Sequence, residues 1–281
     1  MKIIKADKIR DVISDLCIQA NLNLRKDALD ALKRAYSNEK GLRAKRILKA
    51  IIDNAVYAKS KKIAICQDTG FPCVFIELGQ NVRIIGDFKA SINKGVELGY
   101  KKGFLRNSII KDPLLRGKSG SLPAVTHVDI VPGNRLKITV LPKGFGCENK
   151  SQLKMFNPTA GWDEIKKFII DSIKIAGPNA CPPYVIGVGI GGTADYACLL
   201  AKKALLRKIT GKLANRLTGK LFKLEQGLLN DINRLNIGPM GLGGKTTCLA
   251  VNIETYPTHI AGLPVAVNIS CHALRSAVKK I

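Results

Sequence analysis

A chain of 281 residues, 46% of them hydrophobic, buries a sizeable core, which excludes intrinsic disorder and sets the expectation at one large domain or two small ones. Its 46 basic and 21 acidic residues leave a formal net charge of +25, calling for an anionic ligand or a cation-rich surface. Only 5% of the residues are aromatic, and the cations scatter over segments such as 40–62 and 202–223, so a stacking platform for bases is poorly supported and no nucleic-acid partner is expected.

At the N-terminus, Met1-Lys2-Ile3-Ile4-Lys5-Ala6-Asp7-Lys8 breaks its apolar residues with charge before a signal-peptide core forms. No stretch approaches about eighteen uncharged apolar residues, so a cytoplasmic protein without a membrane partner is expected. Helical spacing of apolar residues predicts helices over 8–20, 25–36 and 42–60. After Pro72 the pattern changes: 73–78 reads as a strand and 87–103 as a helix. Alternating strands over 124–131 and 135–141 are predicted to form a hairpin through Pro132-Gly133-Asn134. A helix over 163–176, a strand over 184–188, helices over 193–206 and 213–235, and strands over 247–255 and 263–270 complete the chain. The expected fold class is α+β, one domain over 1–281 with a helical N-terminal part (1–60) followed by mixed or antiparallel sheets with flanking helices (61–281).

Two glycine motifs invite nucleotide readings. Gly187-Val188-Gly189-Ile190-Gly191-Gly192 matches G-x-G-x-x-G between a strand and a helix, but no acid occurs between Asp195 and Glu225 to bind a ribose, and close backbone approach explains the glycines equally well. Gly244-Lys245-Thr246 resembles the end of a P-loop, yet Gly238 is misplaced for the motif and Pro239 removes a donor.

The eight cysteines contain no C-x-x-C pair, which argues against zinc ribbons and fingers. Three of them stand in separated, turn-rich segments: Cys66 in Ile65-Cys66-Gln67-Asp68-Thr69-Gly70, Cys181 in Ala180-Cys181-Pro182-Pro183-Tyr184, and Cys271 in Ser270-Cys271-His272. Such a set looks like ligands donated one at a time to a shared inorganic centre. Cys17, Cys198 and Cys248 lie in helix or strand patterns and read as small buried hydrophobes, and Cys73 reads as core.

Cys66-Gln67-Asp68-Thr69-Gly70, Pro142-Lys143-Gly144-Phe145-Gly146 with Glu148-Asn149-Lys150, Cys181-Pro182-Pro183-Tyr184 with Gly191-Gly192-Thr193, and the run from His259 to Cys271 occur in this order. In this the chain resembles the class I fumarate hydratases and L(+)-tartrate dehydratases, from about Ala58 onward, and its length is that of the separate α subunit of the two-subunit enzymes.

The resemblance implies a 4Fe-4S hydro-lyase in which Cys66, Cys181 and Cys271 hold the cluster and a fourth iron stays open to a small dicarboxylate. It further implies that Gln67, Asp68, Arg106 and His259 touch substrate, with Asp68 and His259 as catalytic residues. Arg106 would clamp a carboxylate bidentately, and the backbone at Gly144 and Gly146 would offer N–H groups to an oxyanion. His127 is assigned a structural place in its strand, and His272 a supporting one beside Cys271. Position 147 is commonly serine in this family, where this chain has Cys147. A β subunit that supplies the catalytic base is implied by the resemblance as partner in an α2β2 assembly. Fumarate hydration to (S)-malate is the chosen reaction and tartrate dehydration to oxaloacetate the alternative. A basic nucleic-acid-binding or zinc-binding protein without turnover is the remote one.

Overall fold

The structure is a computed structural model that describes residues 1–209 and 219–281. In chain order its elements are β1 (Lys2–Lys5), α1 (Ala6–Leu22), α2 (Lys26–Asn38), α3 (Leu42–Lys61), β2 (Phe71–Gly79), β3 (Val82–Ile85), α4 (Phe88–Lys102), β4 (Ile109–Asp112), β5 (Arg116–Gly120), β6 (Val125–Val131), β7 (Leu136–Lys143), α5 (Phe145–Glu148), β8 (Gln152–Phe156), α6 (Trp162–Ala176), β9 (Tyr184–Gly192), α7 (Ala194–Ala204), α8 (Lys220–Asn233), β10 (Cys248–Thr258), β11 (Leu263–Ser270) and β12 (Ala277–Lys280). The fold class is α+β, with a helical N-terminal region and mixed sheets. The helix predicted over 213–235 is seen as α8; its residues before 219 lie outside the described ones. Among the described residues, no helix is long and apolar enough to cross a membrane.

The chain forms two compact units, each assembled from separated stretches: residues 1–25, 55–145 and 275–281 in the first, and 26–54 and 146–274 in the second. In the first unit a four-stranded sheet runs in the order β12-β7-β2-β6. Strand β2 pairs antiparallel with β7 and parallel with β6, so the predicted hairpin between β6 and β7 does not form. The turn at Pro132-Gly133-Asn134 is real, but β2, whose Cys73 to Ile76 are all buried, takes the place between the two strands. An interior strand satisfies its backbone on both sides, whereas β6, with every second residue exposed, is suited to an edge. Helix α1 buries Ile9, Ile13, Leu16 and Cys17, one face of a 3.6-residue period, against Val74 and Ile76 of β2 and Leu136, Ile138 and Val140 of β7. Each such fully buried aliphatic side chain contributes about 1.5–3 kcal/mol. Helix α4, capped by the Asp87 carboxylate accepting the Ala90 N–H at 2.8 Å, packs on α1 through Gly95 and Gly99. A Cβ at either glycine would stand 2.6 Å from an α1 carbonyl oxygen.

The second unit is built on the sheet β10-β9-β11-β8, with β9 parallel to β10 and antiparallel to β11. One face, carrying Ile186, Val188, Val265 and Val267, packs on Ile165, Ile169 and Ile173 of α6 and Leu228 and Ile232 of α8. The other face carries Ala266 and the strand glycines against Ala197 and Ala201 of α7. A Cβ at Gly187 would lie 2.0 Å from the Ala201 carbonyl oxygen, and one at Gly189 2.1 Å from that of Ala197. The G-x-G-x-x-G run is therefore a seat for a helix on a strand, the packing use of glycine foreseen beside the nucleotide reading.

Candidate active site

In the first unit, Cys66 opens an irregular loop between α3 and β2 whose backbone is held almost group by group. The Ile65 N–H donates to the Asn21 carbonyl (3.0 Å). Asp68 accepts the Gly70 N–H on Oδ1 and the Phe145 N–H on Oδ2, both at 2.8 Å. The Asp68 carbonyl accepts from the Arg275 guanidinium (2.8 Å), which also donates to Asn21 Oδ1 (3.1 Å) and is only 3% exposed. The Tyr100 hydroxyl lies 2.9 Å and 3.0 Å from the Thr69 and Gly70 carbonyl oxygens, and burial raises its pKa above the usual phenol range, so it remains a neutral donor. The Thr69 hydroxyl donates to the Arg106 carbonyl (2.8 Å). Gly70 sits at φ +76°, where a Cβ would stand 2.6 Å from the Pro142 carbonyl carbon, so the loop closes only with glycine there.

The Thr69 bond holds the backbone of Arg106 against the loop of Gln67 and Asp68; Gln67 and Arg106 are exposed and Asp68 is half-buried. A carboxylate has roughly four lone-pair sites, so Asp68 keeps acceptor capacity beyond the two backbone bonds that make it a brace of this loop. The Phe145 N–H, between the two glycines expected to offer donors to an oxyanion, is already committed to Asp68. Gly144 is half-buried, and a Cβ on it would be 3.3 Å from Asp68 Oδ2.

In the second unit, Cys181 ends a 3-10 turn (Gly177–Ala180) in the left-handed region, at φ 52° and ψ 67°. Its carbonyl accepts the backbone N–H of His272 (3.3 Å), and the His272 ring Nδ1 lies 3.1 Å from the same oxygen. The Cys181 turn and the Cys271-His272 segment are thus joined, as the sheet register requires: Ser270, the last residue of β11, pairs with Val185 at the start of β9. The Cys147 thiol donates to the Ala180 carbonyl (3.4 Å), immediately before Cys181. The glycine-rich stretch 238–244, considered above for phosphate, braces the same turn: the Met240 N–H donates to the Pro182 carbonyl (2.8 Å), and a Cβ at Gly241 would lie 2.2 Å from Pro178. Glu39, 4% exposed, fixes the far end of that stretch by accepting the N–H groups of Lys40, Gly41 and Lys245 at 2.8–2.9 Å.

His259 does not join this group. It sits beyond Thr258, whose partner Gly192 ends β9, while Cys181 precedes Tyr184 at the start of the same strand. The eight steps between the first and last residues of this nine-residue strand, at about 3.3 Å each, put roughly 26 Å between its two ends. The His259 ring is exposed and accepts the Ala261 N–H on Nδ1 (3.1 Å). His127 stacks on Phe75 at 5.1 Å, in the structural place assigned to it.

Burial sorts the cysteines. Cys66, Cys181 and Cys271 are half-buried, whereas Cys17, Cys73, Cys147 and Cys248 are buried. Burial pushes the Cys17 and Cys248 thiols up to about 12, leaving them protonated packing groups. Cys198, expected in the core, is exposed: α7 packs through Ala197, Leu200, Ala201 and Ala204, and position 198 turns away from that stripe. Cys66, Cys181 and Cys271 stand at chain turns and are half-buried, a donor chemistry that suits an iron–sulfur cluster. Among the described residues, no three His, Cys, Asp or Glu side chains are grouped around a single-ion site.

The family description Fumarate hydratase (Fumerase) matches residues 10–280. The chain belongs to the fumarate hydratase family. It is 40% identical over 281 residues to the chain of Methanocaldococcus jannaschii provisionally named L(+)-tartrate dehydratase subunit alpha, covering 98% of each. It is 31% identical over 275 residues to the L(+)-tartrate dehydratase subunit alpha of Escherichia coli K12, covering 96% of this chain and 89% of that one. Fumarate hydratases are hydro-lyases, so the chain is part of a lyase. For this fumarate hydratase family member, sequence reading missed Tyr100, Arg275, Asn21 and Glu39 as supports of the two cysteine regions. The four glycines of 238–244 were a visible signal of the bracing stretch; the single buried side chains carried none.

Proposed function

We propose that the chain is the α subunit of an iron–sulfur hydro-lyase that hydrates fumarate to (S)-malate, with Cys66, Cys181 and Cys271 as the thiolates that hold a 4Fe-4S cluster. The observation that carries this reading is the coupling of the Cys181 and Cys271 segments through His272, with both cysteines half-buried while four other cysteines are packed away. The cluster, when bound, supplies an iron lacking a thiolate ligand, a Lewis acid for a substrate hydroxyl and carboxylate. Arg106 binds a substrate carboxylate with its guanidinium, from a backbone position set by Thr69. Gln67 orients the substrate through its exposed amide, and Asp68 handles a proton at the substrate oxygen with its remaining lone pairs. The His272 ring, against the Cys181 carbonyl, keeps the two ligand segments in register.

His259 stands roughly 26 Å of strand away from Cys181, so it reaches substrate only from a second copy of the chain. That supports two α chains in the assembly, each paired with a β subunit that supplies the catalytic base, in the cytoplasm. The subunit alpha names of the relatives are the ground for the β partner. Those names also bring the second reading, dehydration of L(+)-tartrate to oxaloacetate.

The test is iron and acid-labile sulfide analysis of the αβ pair purified anaerobically. About four of each per α chain are expected, lost in Cys181→Ser, with hydration of fumarate by the pair and none by the α chain alone. A wild-type pair that stays iron-free after anaerobic reconstitution overturns the reading; kcat/KM for fumarate and tartrate decides the substrate.

A further inference from the structure

Strands β4 and β5 form an arm of two strands joined to no other sheet among the described residues. A hairpin this small is marginal alone in water. Its tip nevertheless holds one shape: the Asp112 carboxylate accepts the N–H groups of both Leu114 and Leu115 at 2.9 Å. This turn presents Leu114 at 88% and Leu115 at 86% exposure, and Phe104, just before the arm, is 95% exposed at φ 51°. Between the arm and the end of α4 lies a cavity of about 650 Å³, with Tyr100, Phe104, Lys111 and Lys118 among its walls.

Around these apolar residues exposed cations outnumber acids. Lys101, Lys102, Lys111, Arg116 and Lys118 are all exposed. Three nearby acids among the described residues are engaged: Asp112 by its turn, Glu97 by Lys94 at 2.7 Å, and Asp11 by Arg10 at 2.8 Å. A second copy of this chain would bring the same cations against these, a repulsive pairing across a twofold interface. The complement is an apolar socket with an acidic rim.

The base of the arm is tied to the catalytic loop. The Arg106 carbonyl accepts the Thr69 hydroxyl, and Tyr100, a wall of the cavity, bonds the Thr69 and Gly70 carbonyls. A partner seated on the arm therefore also bears on the segment that carries Cys66, Gln67 and Asp68.

We propose that the β4–β5 arm is the docking element for the β subunit: Leu114, Leu115 and Phe104 enter an apolar socket on that subunit, and the surrounding cations face its acidic rim. This rests on the reading of the chain as the α subunit of a two-subunit hydro-lyase. Docking sets the Cys66 loop through Thr69 and Tyr100.

The test uses the full α chain with its β partner. L114D/L115D is expected to bind β at least tenfold more weakly while keeping the wild-type circular dichroism spectrum. The separate variant K111E/K118E is expected to slow association and flatten its salt dependence. Equal assembly by wild type and both variants overturns the arm. So does a result in which L114D/L115D changes only the oligomeric state of the isolated α chain, or abolishes only its binding to phosphatidylserine-containing vesicles. If the wild-type pair assembles through the arm but hydrates no dicarboxylate, the arm stands and the enzyme reading falls. Should the wild-type chains fail to associate at all, both fall.

Discussion

The two cysteine regions are held by different means. The Cys66 loop of the first unit hangs on side-chain bonds: Tyr100 and Arg275 reach in from distant parts of the sequence, and the loop's own Thr69 hydroxyl and Asp68 carboxylate reach out to Arg106 and Phe145. The Cys181 and Cys271 segments of the second unit are held by backbone N–H to carbonyl bonds from His272 and Met240, and by glycines that let chain segments touch. A side-chain brace can be removed one bond at a time, whereas a backbone brace fails only when the chain itself cannot adopt its path. Damage to the first region should therefore be graded and local, and damage to the second abrupt.

The largest effect is expected where that difference is put to its hardest test. Gly241→Ala places a Cβ 2.2 Å from Pro178 at a residue with φ +76°. Left-handed strain and overpacking together should cost about 3 kcal/mol in urea denaturation, and iron retention by the αβ pair should fall with it. Wild-type stability would mean that the 238–244 stretch does not brace Cys181.

A smaller effect is expected from Tyr100→Phe, which keeps the ring in its core and removes only the hydroxyl. Leaving the Thr69 and Gly70 carbonyls without their donor should cost about 1–2 kcal/mol and raise the KM for a dicarboxylate more than it lowers kcat. A uniform loss of stability with unchanged KM would make Tyr100 a packing residue only.

The last comparison takes one thiol from each unit. Cys17 and Cys248 are held protonated by burial, with pKa values up to about 12, while unfolded thiols titrate near 8.5, at roughly 1.4 kcal/mol per pKa unit. Because the folded pKa is raised, this stabilisation is complete below about pH 8.5 and fades as pH rises towards 12. Denaturation at pH 8 and pH 10 should show wild type losing more stability across that interval than Cys17→Ala or Cys248→Ala does. Parallel losses would place these thiols in contact with water. Iodoacetamide on cluster-free protein offers a cross-check, since Cys66, Cys181 and Cys271 should label before either buried thiol.

Much of this was legible in the chain itself. The α1 stripe Ile9, Ile13, Leu16, Cys17 and the α6 stripe Ile165, Ile169, Ile173 repeat at the helical period, so local pattern predicts both the helix and its buried face. The cysteine segments stood out because short runs of Cys, Gly and Pro are rare and each carries a backbone requirement. Short edge strands such as β1, β8 and β12 were not seen, since four or five residues with mixed burial carry almost no periodic signal. Cys198 shows the limit within a helix: one residue off the packed stripe, it is exposed despite its apolar neighbours.

By itself, then, the sequence determined the α+β class, the main helices and strands, and the three cysteine segments, because these depend on local backbone preference and on spacing along one element. Only the tertiary structure decided that β2 separates β6 from β7, that His272 joins Cys181 to Cys271, that His259 lies at the far end of their sheet, and that Tyr100 and Arg275 hold the Cys66 loop. Each of those depends on which distant segments satisfy one another's buried hydrogen-bonding groups, and that pairing is settled by three-dimensional packing rather than by any local pattern.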